Sequence, residues 1–129
     1  MSQGKPVPIN SMAELNELFK NTTYVAIDFY ADWCGPCKAI APPLEELSTQ
    51  HSLPGLFAVA KVNVDVAKDV AAQYRISAMP TFLFFKEGRQ VAVNGNPYIQ
   101  GANWPVLQAA VIKLGELAAK KQTQAAAQL

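Results

Sequence analysis

The sequence predicts one α/β domain in which a mixed β-sheet lies between layers of helices. Three observations point there. The 129 residues are half apolar, which is enough for one core and too little for two ordinary domains. Strand and helix patterns alternate through the first half of the chain, which implies parallel strands. A hairpin signal and a last helix follow, so an antiparallel part completes the sheet. There is no linker and no internal repeat.

Taken in order, Ser11 with Glu14 three residues on has the form of a capping box, and Met12, Leu15, Leu18 and Phe19 recur at helical spacing. A helix over 11–20 follows. Residues 24–30, Tyr-Val-Ala-Ile-Asp-Phe-Tyr, are β-branched and aromatic and apolar on both alternating faces except at Asp28, as in a central strand covered on both sides. Ile40, Leu44 and Leu47 mark one face of a helix that runs to about His51, with a kink expected at Pro42. Residues 57–64 read as a second buried strand, after which Asp65 can cap a short helix through Val66, Val70, Ala71 and Tyr74. Residues 81–85 and 90–93 flank Lys86-Glu87-Gly88-Arg89, a turn in which Gly88 supplies a positive φ. Asn103 can cap the last helix, with Pro105 in its first turn and Leu107, Ala110, Val111, Leu114 and Ala118 as its buried stripe. The domain thus spans 1–119, and residues 120–129 read as a frayed tail.

Composition excludes several functions. Lys and Arg number 11 against 10 Asp and Glu, a formal net charge of +1, so no electrostatic case for nucleic acid exists. Residues 1–8 show neither the apolar core of a signal peptide nor an Arg-rich transit pattern. Apolar runs such as residues 81–85 fall far short of the roughly 20 residues of a membrane helix. The expectation is a soluble, cytoplasmic protein without a membrane partner.

The two cysteines, Cys34 and Cys37, are three residues apart. In a compartment that keeps thiols reduced they make a poor structural framework, and so short a loop would restrain the unfolded chain little. That leaves chemistry or a metal. A structural zinc site takes four protein ligands, and the chain offers two thiols and one histidine, His51, without a spacing partner. Placement argues for reactivity. Cys34-Gly35-Pro36-Cys37 lies between a central strand and a helix with Pro36 in its first turn, so Cys34 sits where unpaired backbone donors and the helix dipole favour a thiolate. Cys37, one turn on, is the more shielded thiol and can resolve a mixed disulfide formed by Cys34. Gly35 lets another chain approach closely, Pro36 fixes the backbone, and Trp33 offers an apolar wall beside the sulfur.

Asp28 is a carboxylate in an apolar strand, so burial should raise its pKa towards neutrality. Six residues before Cys34, it could accept the proton of Cys37 directly or through water, and Lys61 on the neighbouring strand could bias its charge.

Residues 33–37, Trp-Cys-Gly-Pro-Cys, and the preceding Ala-Ile-Asp-Phe-Tyr-Ala at 26–31 closely resemble the thioredoxin family. The likeness continues through 38–42, 61–65, 76–82 and 85–88, and covers about residues 7 to 118. The resemblance implies a thioredoxin-like fold with a five-stranded mixed sheet between four helices. It also implies a cis Met79-Pro80 peptide facing the cysteines, which leaves the Met79 backbone to pair with an extended substrate segment. Gly101-Ala102 is similar to the family's Gly-Ala loop that completes the groove. Two departures stand out: residues 94–100 are longer than the usual connection and would extend or bulge the hairpin, and Tyr30 stands where many members carry Trp.

The function implied is protein-disulfide reduction without a bound cofactor, by a monomer acting on disulfide-containing client proteins and recycled by a thioredoxin reductase with NADPH. A redox-dependent binding module is the alternative that uses the same groove. Isomerase or oxidase activity is disfavoured by Gly35-Pro36, because family members with those activities usually carry other dipeptides.

Overall fold

The computed structural model describes residues 3–128. Met1, Ser2 and Leu129, on which the readings of the start and the tail partly rest, lie outside that range. The elements are β1 (Val7–Pro8), α1 (Met12–Asn21), β2 (Tyr24–Tyr30), α2 (Gly35–His51), β3 (Phe57–Asn63), α3 (Lys68–Gln73), β4 (Thr81–Lys86), β5 (Arg89–Val91), β6 (Ile99–Gln100) and α4 (Trp104–Ala127). The sheet order is β1-β3-β2-β4-β5, with β6 also on β4. β1, β3 and β2 are parallel, and β4 joins β2 antiparallel, as do β5 and β6 to β4.

Alternation along β2 divides the core. Tyr24 and Ala26 face α2 and α4 with Ile40, Leu44, Leu47, Leu107 and Leu114. Val25, Ile27 and Phe29 face the other layer with Leu15 of α1 and Val70 of α3. Both faces of β2 are therefore covered, which is why its sequence is nearly uniformly apolar. Asp28 falls on the α2 face by the same alternation.

Local chemistry sets the boundaries. The Glu14 N–H donates to Ser11 Oγ at 3.2 Å, and the Glu14 carboxylate accepts from the Asn10 N–H at 2.9 Å, so α1 begins where the capping box places it. Glu87 (φ 52°) and Gly88 (φ 77°) both take positive φ between β4 and β5, as a two-residue hairpin of primed type requires. α2 runs through Pro42 and Pro43 to His51. Asn103 caps α4 through the Val106 N–H, and the buried stripe contains all five expected residues plus Gly115.

Several expectations are corrected. The sheet has six strands rather than five, because Ile99–Gln100 returns to pair with Phe82 and Thr81. The 94–100 connection makes a second tight turn, in which Asn94 (φ 51°) and Gly95 (φ 81°) let Val93 and Asn96 exchange backbone hydrogen bonds of 3.0 and 2.9 Å. Asp65 does not cap the short helix, which starts at Lys68 after Ala67 without a side-chain cap. Nor does the chain fray at residue 120: α4 continues to Ala127, through a segment that apart from Thr123 is all Ala, Lys and Gln, which favour helix.

Candidate active site

Cys34 is the N-cap residue of α2 and closes a disulfide with Cys37, their Cα atoms 5.3 Å apart. The Cys37 N–H donates to Cys34 Sγ at 3.2 Å. Pro36, near the start of α2, has no N–H to leave unpaired. The first sulfur therefore sits on the positive end of the helix, where a thiolate gains most. The expected difference in shielding is absent in this oxidised state, with Cys34 5% and Cys37 4% exposed. Both are tucked against Ala31, Tyr30, Val64 and Met79.

Around the pair, Trp33 stands 69% exposed, and Gly35 and Pro36 are exposed beside it. A Cβ on Gly35 would meet nothing within 4 Å, so that flank is open to a second chain. The Met79-Pro80 peptide is cis, and the Met79 carbonyl lies 3.7 Å from Cys34 Sγ. Gly101 donates its N–H to the Pro80 carbonyl at 2.8 Å, which brings Gly101-Ala102 alongside. The pairing of Thr81 with Gln100 produces this approach. Of the residues read as a groove, Trp33, Gly35 and Pro36 flank the cysteines along the chain, Met79 packs against them, and Pro80 with Gly101 lies next to Met79, with Ala102 following Gly101 in the chain.

Asp28 lies beneath. Parallel register sets it opposite Lys61, and antiparallel register sets it opposite Phe82. Burial raises its pKa from 3.8 to about 7, against a smaller lowering by Lys61. Oδ1 has no hydrogen-bond partner among the described residues. A cavity of about 170 Å³ joins Asp28, Tyr30, Asp32, Cys37, Lys38 and Lys61. The carboxyl and the second cysteine thus share one space.

The Thioredoxin family model matches residues 7–102. The chain belongs to the thioredoxin family. It is 61% identical over 113 residues to a thioredoxin-like protein of Fusarium culmorum, covering 88% of this chain and 93% of that one. It is 56% identical over 117 residues to thioredoxin of Neurospora crassa, covering 91% and 92%. Among solved structures, Plasmodium falciparum thioredoxin superposes with a TM-score of 0.73 at 34% identity, over 83% of this chain and 97% of that chain. As in the family, the Cys34–Cys37 pair performs dithiol–disulfide exchange, and the protein is a thiol–disulfide oxidoreductase.

Three residues of this thioredoxin site escaped the sequence reading. Asp65, read as a helix cap, instead accepts the Trp33 indole N–H at 3.0 Å. Its own N–H donates to Asn63 Oδ1 at 2.9 Å, a local turn signalled by Asn-Val-Asp at 63–65. Tyr30, read as a packing substitute for Trp, places its phenol beside the Asp28 cavity. Among the described residues no helix is long and apolar enough to cross a membrane. Among the described residues no group of three or more His, Cys, Asp and Glu could hold a metal.

Proposed function

We propose that this protein reduces disulfides of client proteins, with Cys34 as nucleophile and Cys37 as resolving thiol. The observation that carries the division of labour is the position of Cys34 Sγ at the α2 N-terminus, accepting the Cys37 N–H, while Cys37 shares the Asp28 cavity. Cys34 thiolate attacks one target sulfur, the target S–S bond breaks, and the other target sulfur leaves as a thiolate. Cys37 then gives its proton to Asp28 and attacks Cys34 Sγ. The mixed disulfide breaks, the second target thiolate departs, and Cys34–Cys37 is oxidised as found here.

Lys61 keeps part of the Asp28 population ionised at neutral pH, as a base must be. Trp33, Gly35 and Pro36 form one wall of the client groove, and Met79-Pro80 with Gly101-Ala102 form the other. None of the described backbone hydrogen bonds uses the Met79 N–H, so the Met79 main chain can pair with an extended client segment. An NADPH-dependent thioredoxin reductase restores the dithiol, in the cytoplasm, with the protein acting as a monomer whose groove needs no second copy. The test is insulin reduction with NADPH and thioredoxin reductase. Cys34→Ser and Cys37→Ser should each abolish turnover, and Cys37→Ser should accumulate mixed disulfides. Wild type no faster than the variants would overturn the reading.

A further inference from the structure

A line of polar residues leads from the exposed face of the site towards the buried carboxyl through groups that the exchange chemistry does not itself use. Trp33 donates to Asp65 and Asp65 donates to Asn63 Oδ1. Asn63 stands directly opposite Tyr30 in the β2–β3 register, and its side chain favours the ionised phenol, though less than burial and the nearby carboxylates oppose it. Because Oδ1 already accepts from Asp65, the Asn63 NH₂ is the group left for Tyr30. The phenol can accept there, with its own hydrogen left to donate elsewhere.

That hydrogen has one evident use. Alternation puts Asp28, Tyr30, Lys61 and Asn63 on one face of the sheet, and Tyr30 lines the same cavity as Asp28, whose Oδ1 is buried without a partner. About 170 Å³ between polar groups is room for water. The other charged groups on this space are Asp32 from the loop, Lys38 from α2 and Lys61 from β3, with Cys37 at its α2 side. The phenol itself stays protonated, because burial and the charges of Asp32 and Asp28 outweigh Asn63 in setting its pKa upward.

We propose that Tyr30, fixed by Asn63, is a positioning residue for proton transfer at Asp28, its phenol holding the cavity water that links the carboxyl to solvent. The proposal deepens the disulfide-reductase reading and rests on its use of Asp28 as proton acceptor. In each resolution step the Cys37 S–H bond breaks, its proton goes to the Asp28 carboxylate, the Cys34–Cys37 bond forms and the client thiolate leaves. Neutral Asp28 then passes a proton to the cavity water, which hands one on to bulk past Tyr30, and the carboxylate is restored. Family members with Trp at this position lack the phenol, so the arrangement belongs to chains with Tyr30.

Stopped-flow measurement of mixed-disulfide formation by Cys34 and of its resolution by Cys37, across pH, tests this. Tyr30→Phe should slow resolution about three- to tenfold, the size of one lost hydrogen bond, with formation changed less than about twofold. The pH midpoint of resolution should move up, since the ionised carboxyl loses support. Asn63→Ala should shift it in the same direction. Tyr30→Phe added to Asp28→Asn should slow resolution no further than Asp28→Asn alone. An unmoved midpoint, equal effects on both steps, or additivity with Asp28→Asn overturns the role of Tyr30 alone. If Asp28→Asn itself fails to slow resolution selectively, the use of Asp28 falls, and Tyr30 with it.

Discussion

Asp28 costs this protein stability, and the sign of that cost can be read from its titration. The group holds its proton up to about pH 7 in the folded chain and loses it near 3.8 when unfolded, because burial outweighs the attraction of Lys61. Between those values the folded state binds more protons, so stability falls as pH rises and levels off above about 7. Each unit is worth about 1.4 kcal/mol, so the full cost at alkaline pH is about 4 kcal/mol. Asp28→Asn should therefore raise the free energy of unfolding by a few kcal/mol at pH 8 and by little at pH 4, measured by urea titration. A gain equal at both pH values would show that charge burial is not its source. Asp28 was legible in the sequence because a carboxylate interrupts an apolar run, and the cysteines because their spacing falls at a helix start. Asp65 was not, since its partner Trp33 lies 32 residues away and a turn, not a helix, follows β3. The near-equal burial of Cys34 and Cys37 was equally out of reach, being a property of packing beneath Met79 and Val64.

Elements with their own periodicity were read nearly to the residue, and those defined by a partner were missed. β1 and β6 are two residues each, too short for any alternation, and exist as strands only because β3 and β4 offer free edges. The continuation of α4 beyond residue 119 carried no apolar stripe to mark it, yet its helix-favouring residues suffice. Gly115 shows the converse, a glycine in a helix that propensity alone would replace. A Cβ there would lie 3.0 Å from His51 Cβ and 3.3 Å from the His51 carbonyl oxygen, at the crossing of α2 and α4. Alanine would gain about 1 kcal/mol of helix propensity but overpack the crossing by about 1–3 kcal/mol. Gly115→Ala should lower stability by up to about 2 kcal/mol in urea unfolding. Stability at or above wild type would mean that the two helices part without cost.

At the scale of the whole molecule, the site occupies one end of the sheet, where β2 passes into α2 between a parallel neighbour and an antiparallel one. Register does the positioning: β3 brings Lys61 to Asp28 and Asn63 to Tyr30, while β4 sets Pro80 at its own start and receives Gly101 through β6. Residues far apart in sequence thus meet without any long loop. The end of α4 takes no part in this. Its last buried residue is Ala118, and residues 119–128 are exposed except the half-buried Lys121. Removing residues 120–129 should therefore forfeit little apolar burial, and change unfolding free energy by less than about 1 kcal/mol. Insulin reduction should be unchanged, because no residue of the groove or the Asp28 cavity lies beyond Ala102. A truncated chain that loses several kcal/mol would show that helix propensity past Ala118 holds the buried stripe in place. One that keeps its stability but loses turnover would mean that the exposed end of α4 meets the client or the reductase.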